Sequence, residues 1–139
     1  MRNFWNGFEK KAFGIDPVSA GTLGSLVSGY HSGRSAAGTT ANAISRKGYK
    51  TKNEETARNI AKVLGTAGAV GGLALAFKNQ NKLVSLARKY ISSHPEMHQV
   101  YAAGIPFAAG TLGGMGAGAL TGGAVSLRGA FSKSKEEKK

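Results

Sequence analysis

Three stretches of the chain, residues 17–33, 63–77 and 99–127, contain no Lys, Arg, Asp or Glu, and they alternate with segments rich in Lys and Arg. Within each stretch the small residues recur every four positions. The first series is Gly21, Ser25, Gly29, Gly33, Ala37 and Ala41. The middle stretch has two, Ala61–Gly65–Ala69 and Gly68–Gly72–Ala76, and the last has Gly110, Gly114, Gly118, Gly122 and Ser126. A spacing of four sets residues along one ridge of an α-helix. A ridge without side-chain volume lets a second backbone come close, as in small-xxx-small membrane helix pairs. The pattern predicts an all-α chain of three to four Gly-rich helices packed through these ladders, and it is compatible with a two-span membrane hairpin.

The segments between the ladders divide the chain further. Residues 1–15 carry Phe4, Trp5, Phe8 and Ala12 on one helical face, which reads as an amphipathic anchor for a membrane interface or a neighbouring protein. Residues 16–45 form the first laddered helix, started by Asp16 as N-cap and Pro17 at the first position. Its end, residues 35–45, is polar and is expected to fray into loop. Residues 46–78 pass from charged to apolar, with Thr51 and Glu54 spaced as a capping box. The uncharged run 63–77 is 15 residues, short of the roughly 20 that cross a bilayer core. Snorkelling by Lys62 and Lys78 would lengthen it.

Residues 79–98 predict a basic amphipathic helix that His94-Pro95 ends. Residues 99–127 form the longest apolar segment, able to span with tilt, with Pro106 as a kink or a start. Residues 128–139 read as a charged, solvated tail. If the second and third apolar segments both span, residues 1–62 and 128–139 share one side. One internal echo stands out: Ala20-Gly-Thr-Leu-Gly24 recurs as Ala109-Gly-Thr-Leu-Gly113.

Composition sharpens this picture. The 139 residues include 21 Gly, about twice the average share, no Cys and only 3 Pro. Disulfide frameworks, thiolate metal sites and cysteine nucleophiles are excluded, and so is a collagen-like repeat. In water each mid-helix Gly costs about 1 kcal/mol relative to Ala. Lipid offsets this, because unpaired backbone there is far more costly. A tightly packed protein assembly would supply the same reason for keeping Gly. The net charge of +12 calls for anionic company: phospholipid headgroups, an acidic partner or nucleic acid bound without sequence preference. Every hydrophilic segment is net positive, so the charge asymmetry gives no orientation.

No catalytic chemistry emerges, and no cofactor or metal is expected. Neither Gly65-Thr-Ala-Gly68 nor Gly110-Thr-Leu-Gly-Gly114 is followed by the Lys-Ser/Thr pair of a phosphate-binding loop. His94 and His98 are four apart, but Pro95 breaks the helix that would align them for a metal. The acids are scattered, and they read as capping and solvating groups.

The opening Phe4-Trp5-Asn6-Gly7-Phe8-Glu9-Lys10-Lys11-Ala12 resembles the short aromatic-basic start of small bacteriophage virion proteins. The glycine-laddered segments resemble the glycine-zipper helices of phage DNA-delivery and membrane proteins. Glycine-zipper proteins of bacterial envelopes share the trait, but residues 1–14 do not form a secretory signal. The resemblance implies a non-enzymatic structural component of a virion, membrane-associated and part of a genome-delivery conduit. Its partners would be copies of itself, other virion proteins and a lipid membrane. The alternatives are a soluble capsid- or tail-associated protein and a holin-like or pore-forming toxin. The residues expected to carry the role are the packing glycines Gly21, Gly29, Gly33, Gly68, Gly72, Gly110, Gly114, Gly118 and Gly122, with Phe4, Trp5 and Phe8 as interface anchors.

Overall fold

A computed structural model describes residues 16–45 and 48–136. Those residues are all-helical: α1 (Pro17–Ile44), α2 (Lys50–Lys78), α3 (Gln80–Ile91), a single 3₁₀ turn (Pro95–Met97) and α4 (His98–Glu136). The predicted anchor residues Phe4, Trp5 and Phe8 lie outside the described residues.

Helix α1 starts where Asp16 and Pro17 place it. The Asp16 carboxylate accepts the amides of Val18 and Ser19, each at 3.0 Å, which satisfies two donors that the first turn leaves open. The Ser19 hydroxyl also donates to the carboxylate, and these bonds hold the Asp16 pKa below its ordinary value. The cap is therefore complete above the usual carboxylate pKa of about 3.9. It is lost as pH falls through the lowered folded value. Acid titration followed by circular dichroism should show a helicity loss at low pH. Asp16→Asn keeps an acceptor but does not titrate, and it should remove that step.

Three boundaries differ from the sequence expectation. Helix α1 does not fray at residue 35 but runs to Ile44, because Ala37, Gly38 and Ala41 continue its buried column. Helix α2 starts at Lys50 with Tyr49 as its N-cap and no side-chain cap bond. Thr51 and Glu54 thus form no capping box; Glu54 instead holds Arg58 at 2.8 Å. Pro106 neither starts nor ends a helix but sits inside α4, where it is buried. The charged tail continues α4 as far as Glu136.

The three long helices pack along most of their lengths. α1 and α4 run parallel: Gly110 sits by Ser25, Gly114 by Gly29, Gly118 by Gly33 and Gly122 by Ala37. α2 runs antiparallel to both. It brings Ala69 to Gly29 and Gly65 to Gly33 on α1, and Gly68 and Gly72 to Gly113 on α4. The two copies of the Ala-Gly-Thr-Leu-Gly echo therefore lie on parallel neighbours. The short α3 and the 3₁₀ turn connect α2 to α4 at the end of the bundle where α1 begins. This order corrects the expected sidedness only for the start of α1: Asn53 and Gly129 share an end, as expected, but Asp16 lies at the other. Asp16 shares an end with Lys78 and His98, while Ser45, Asn53 and Ser126 meet at the opposite end.

Candidate functional site

The feature with functional content is how the side chains are distributed. Among the described residues the buried hydrophobic ones are Ala37, Ala41, Ala57, Ala61, Ala69, Leu73 and Ala76, and the largest fully buried side chain is Ser25. Apart from Leu73 and the partly buried Val125, most of the large apolar side chains face outward. Val27, Val70, Leu75, Leu112 and Leu120 are all more than half exposed, with Leu120 at 77%. Burying methyl groups of alanine removes little area from water, at about 25 cal/mol per Å², so the interior adds little hydrophobic driving force. Close backbone packing and interhelical hydrogen bonds hold the bundle instead.

The glycine columns make that packing possible. A Cβ on Gly118 would land on the carbonyl oxygen of Gly33, and one on Gly114 on that of Gly29. A Cβ on Gly21 would meet the Ala103 backbone, and one on Gly122 the carbonyl of Ala37. At Gly29 and Gly33 it would lie 2.8 and 2.9 Å from the carbonyls of Gly110 and Gly114; at Gly110 it would meet Ser25 Oγ at 2.5 Å. On α2, the Gly68 position faces Gly113 and Ala117 on α4, and the Gly72 position faces Ala109 and Gly113. The structure thus brings all nine predicted packing glycines to interfaces within one chain. Five other glycines, Gly48, Gly71, Gly104, Gly116 and Gly123, have nothing within 4 Å of an added Cβ.

Small hydroxyls tie the same interfaces together. Thr111 pairs with Ser28 at 2.9 Å, and the Ser32 hydroxyl donates to the Thr111 carbonyl at 3.3 Å. At the far end, Ser126 Oγ reaches the Ala41 carbonyl at 3.2 Å and lies 3.2 Å from Ser45 Oγ, which accepts from Asn53 at 2.7 Å. Composition hides these contacts, because Ser and Thr score as polar. The available signal is that Ser45 and Ser126 continue the four-residue ladders; Ser28, Ser32 and Thr111 lie off them.

Charges sit around this apolar waist. Arg34 is the one charged residue of α1. Its guanidinium lies over the Tyr30 ring, 5.7 Å from the centroid. Such a contact eases the desolvation of a cation. Arg58 and Lys62 lie on α2 toward one end and Lys78 at the other.

Among the described residues, one helix, Lys50–Lys78, is long and apolar enough to cross a membrane. The expected hairpin had two spans. The uncharged run in α4 falls short because its many glycines contribute almost no hydropathy.

No protein-family model matches the chain, and neither a curated protein nor a solved structure is detectably similar to it.

Proposed function

We propose that this chain is a non-enzymatic structural protein of a membrane, with α2 crossing the lipid and α1 and α4 accompanying it. The observation that carries the reading is the inverted side-chain distribution, with Ala, Gly and Ser making up most of the interior and, Leu73 apart, most of the Leu, Val, Phe and Ile side chains on the outside. In water that arrangement exposes most of the large apolar surface and buries little of it. In lipid the outward side chains are solvated by acyl chains, and the small interior lets backbones touch. Because α1 and α4 pack along α2, a slab that contains α2 contains their apolar middles too. The uncharged run of α2 measures about 22 Å at 1.5 Å per residue, so Lys62 and Lys78 reach the headgroups by extending their stems.

The bacteriophage setting rests on the resemblance of the aromatic-basic opening and the laddered helices. Within it the role is a virion component that helps form a conduit for the genome. A second reading, a soluble virion protein covered by other subunits, is favoured by the polar exterior of α1 beyond Arg34, where Ser35, Thr39 and Asn42 are exposed. Flotation separates the two. The protein, mixed with liposomes in high salt and spun through a density gradient, should rise with the lipid. A protein that is soluble alone and stays below the lipid would exclude the membrane role.

A further inference from the structure

Where α2 meets α4, next to the start of α3, an open groove of about 540 Å³ runs down the outside of the bundle. Its origin is visible in the sequence. Gly72 and Gly113 form its floor, with the Gly113 Cα only 3.2 Å from a Cβ built on Gly72, so no side chain fills the cleft above them. Leu75 and Leu112 stand on either side, 63% and 66% exposed. At one end the lining turns polar. Asn79 closes α2, its amide donating to the Leu75 carbonyl at 2.8 Å, and the exposed Lys82 lies in the first turn of α3. From Asn79 to Gly72 the groove follows about 10 Å of helix toward the apolar waist, at 1.5 Å per residue.

We propose that this groove holds one acyl chain of an anionic phospholipid, with the lipid phosphate at Lys82. The inference rests on the membrane reading above and names the lipid that the bundle takes. The groove is amphiphilic in the same order as the ligand: a cation at its outer end, then apolar walls facing the region where acyl chains lie. Charge complementarity favours this occupant over a second copy of the chain. Among the described residues Lys82 is the only charged one lining the groove, and the sequence of α3 adds Arg88 and Lys89 with no acid, whereas a second copy would bring its own +12.

The test uses the full chain in mild detergent. Phosphatidylglycerol and phosphatidylcholine with matched acyl chains are titrated in separately, and bound lipid per chain is counted by native mass spectrometry. Wild type should retain phosphatidylglycerol about fivefold more tightly, the preference that one lysine near an anionic headgroup supplies. Lys82→Gln should bring that preference close to unity, while Lys50→Gln, on an exposed position at the opposite end, should leave it in place. Leu112→Ser removes a wall without touching the interior and should weaken both lipids severalfold. Equal retention of the two lipids by wild type, a preference that survives Lys82→Gln, or a dimer in place of bound lipid would overturn the proposal. If the protein floats with liposomes but shows no preference, the groove assignment alone fails; if it does not float, the membrane reading fails with it.

Discussion

Leucine at both Gly114 and Gly118 is expected to separate α1 from α4 and abolish the folded bundle. Added side chains at these positions meet the backbone carbonyls of Gly29 and Gly33 rather than flexible side-chain ends. Overpacking a core costs about 1–3 kcal/mol per site even when side chains can move. A backbone on a straight helix moves only if the whole helix shifts, so the pair should cost at least about 3 kcal/mol, a large part of typical stability. Thermal melting followed by circular dichroism should lose its cooperative transition. The control is Gly116→Leu, two residues from both sites on the same helix. It has open space around it and should change stability by less than about 0.5 kcal/mol. Equal effects from Gly116→Leu and Gly118→Leu would remove the packing account.

The second large effect concerns the outer face. Val70 is 53% exposed midway along the uncharged run of α2. Val70→Arg should prevent stable insertion, because an arginine at the centre of a membrane helix costs about 2.5–3.5 kcal/mol. Liposome flotation should fall severalfold for this variant. For a soluble bundle the same change is a surface substitution of about 0.5 kcal/mol or less, and solubility would rise. The direction of the change is therefore opposite under the two readings.

Much of the helix packing could be read from the sequence because it follows from a local rule. A four-residue repeat of Gly, Ala and Ser has one geometric meaning on a helix, and Asp16-Pro17 has one meaning at its start. What could not be read depended on partners distant in sequence. Residues 35–45 look too polar for a packed helix, yet Ala37 and Ala41 keep the column going while Ser35, Thr39 and Asn42 face outward. Pro106 lacks an amide hydrogen and would break an isolated helix, but here it is buried and α4 continues through it. The parallel pairing of α1 with α4 was also hidden, since ladders of equal spacing do not specify direction. The hydrophobic signal itself has two readings. Leu, Val and Phe beside a glycine column can face lipid or another protein, and the packing puts most of them on the outside. The groove beneath Lys82 was not legible, since Gly72, Gly113 and Lys82 come together only after α4 returns along α2.

On the membrane reading, the outward-facing large apolar side chains of this bundle contact lipid. The chain has no cysteine, so single cysteines can be placed at Val27, Val70 and Leu120 and labelled with a nitroxide in liposomes. Collision with oxygen, which partitions into lipid, is compared with collision with a water-soluble nickel chelate. Lipid contact gives high oxygen and low chelate accessibility at all three positions, and the reverse at Lys50→Cys. High chelate accessibility at Val27, Val70 and Leu120, or low accessibility to both reagents, would put water or protein against that face and contradict it.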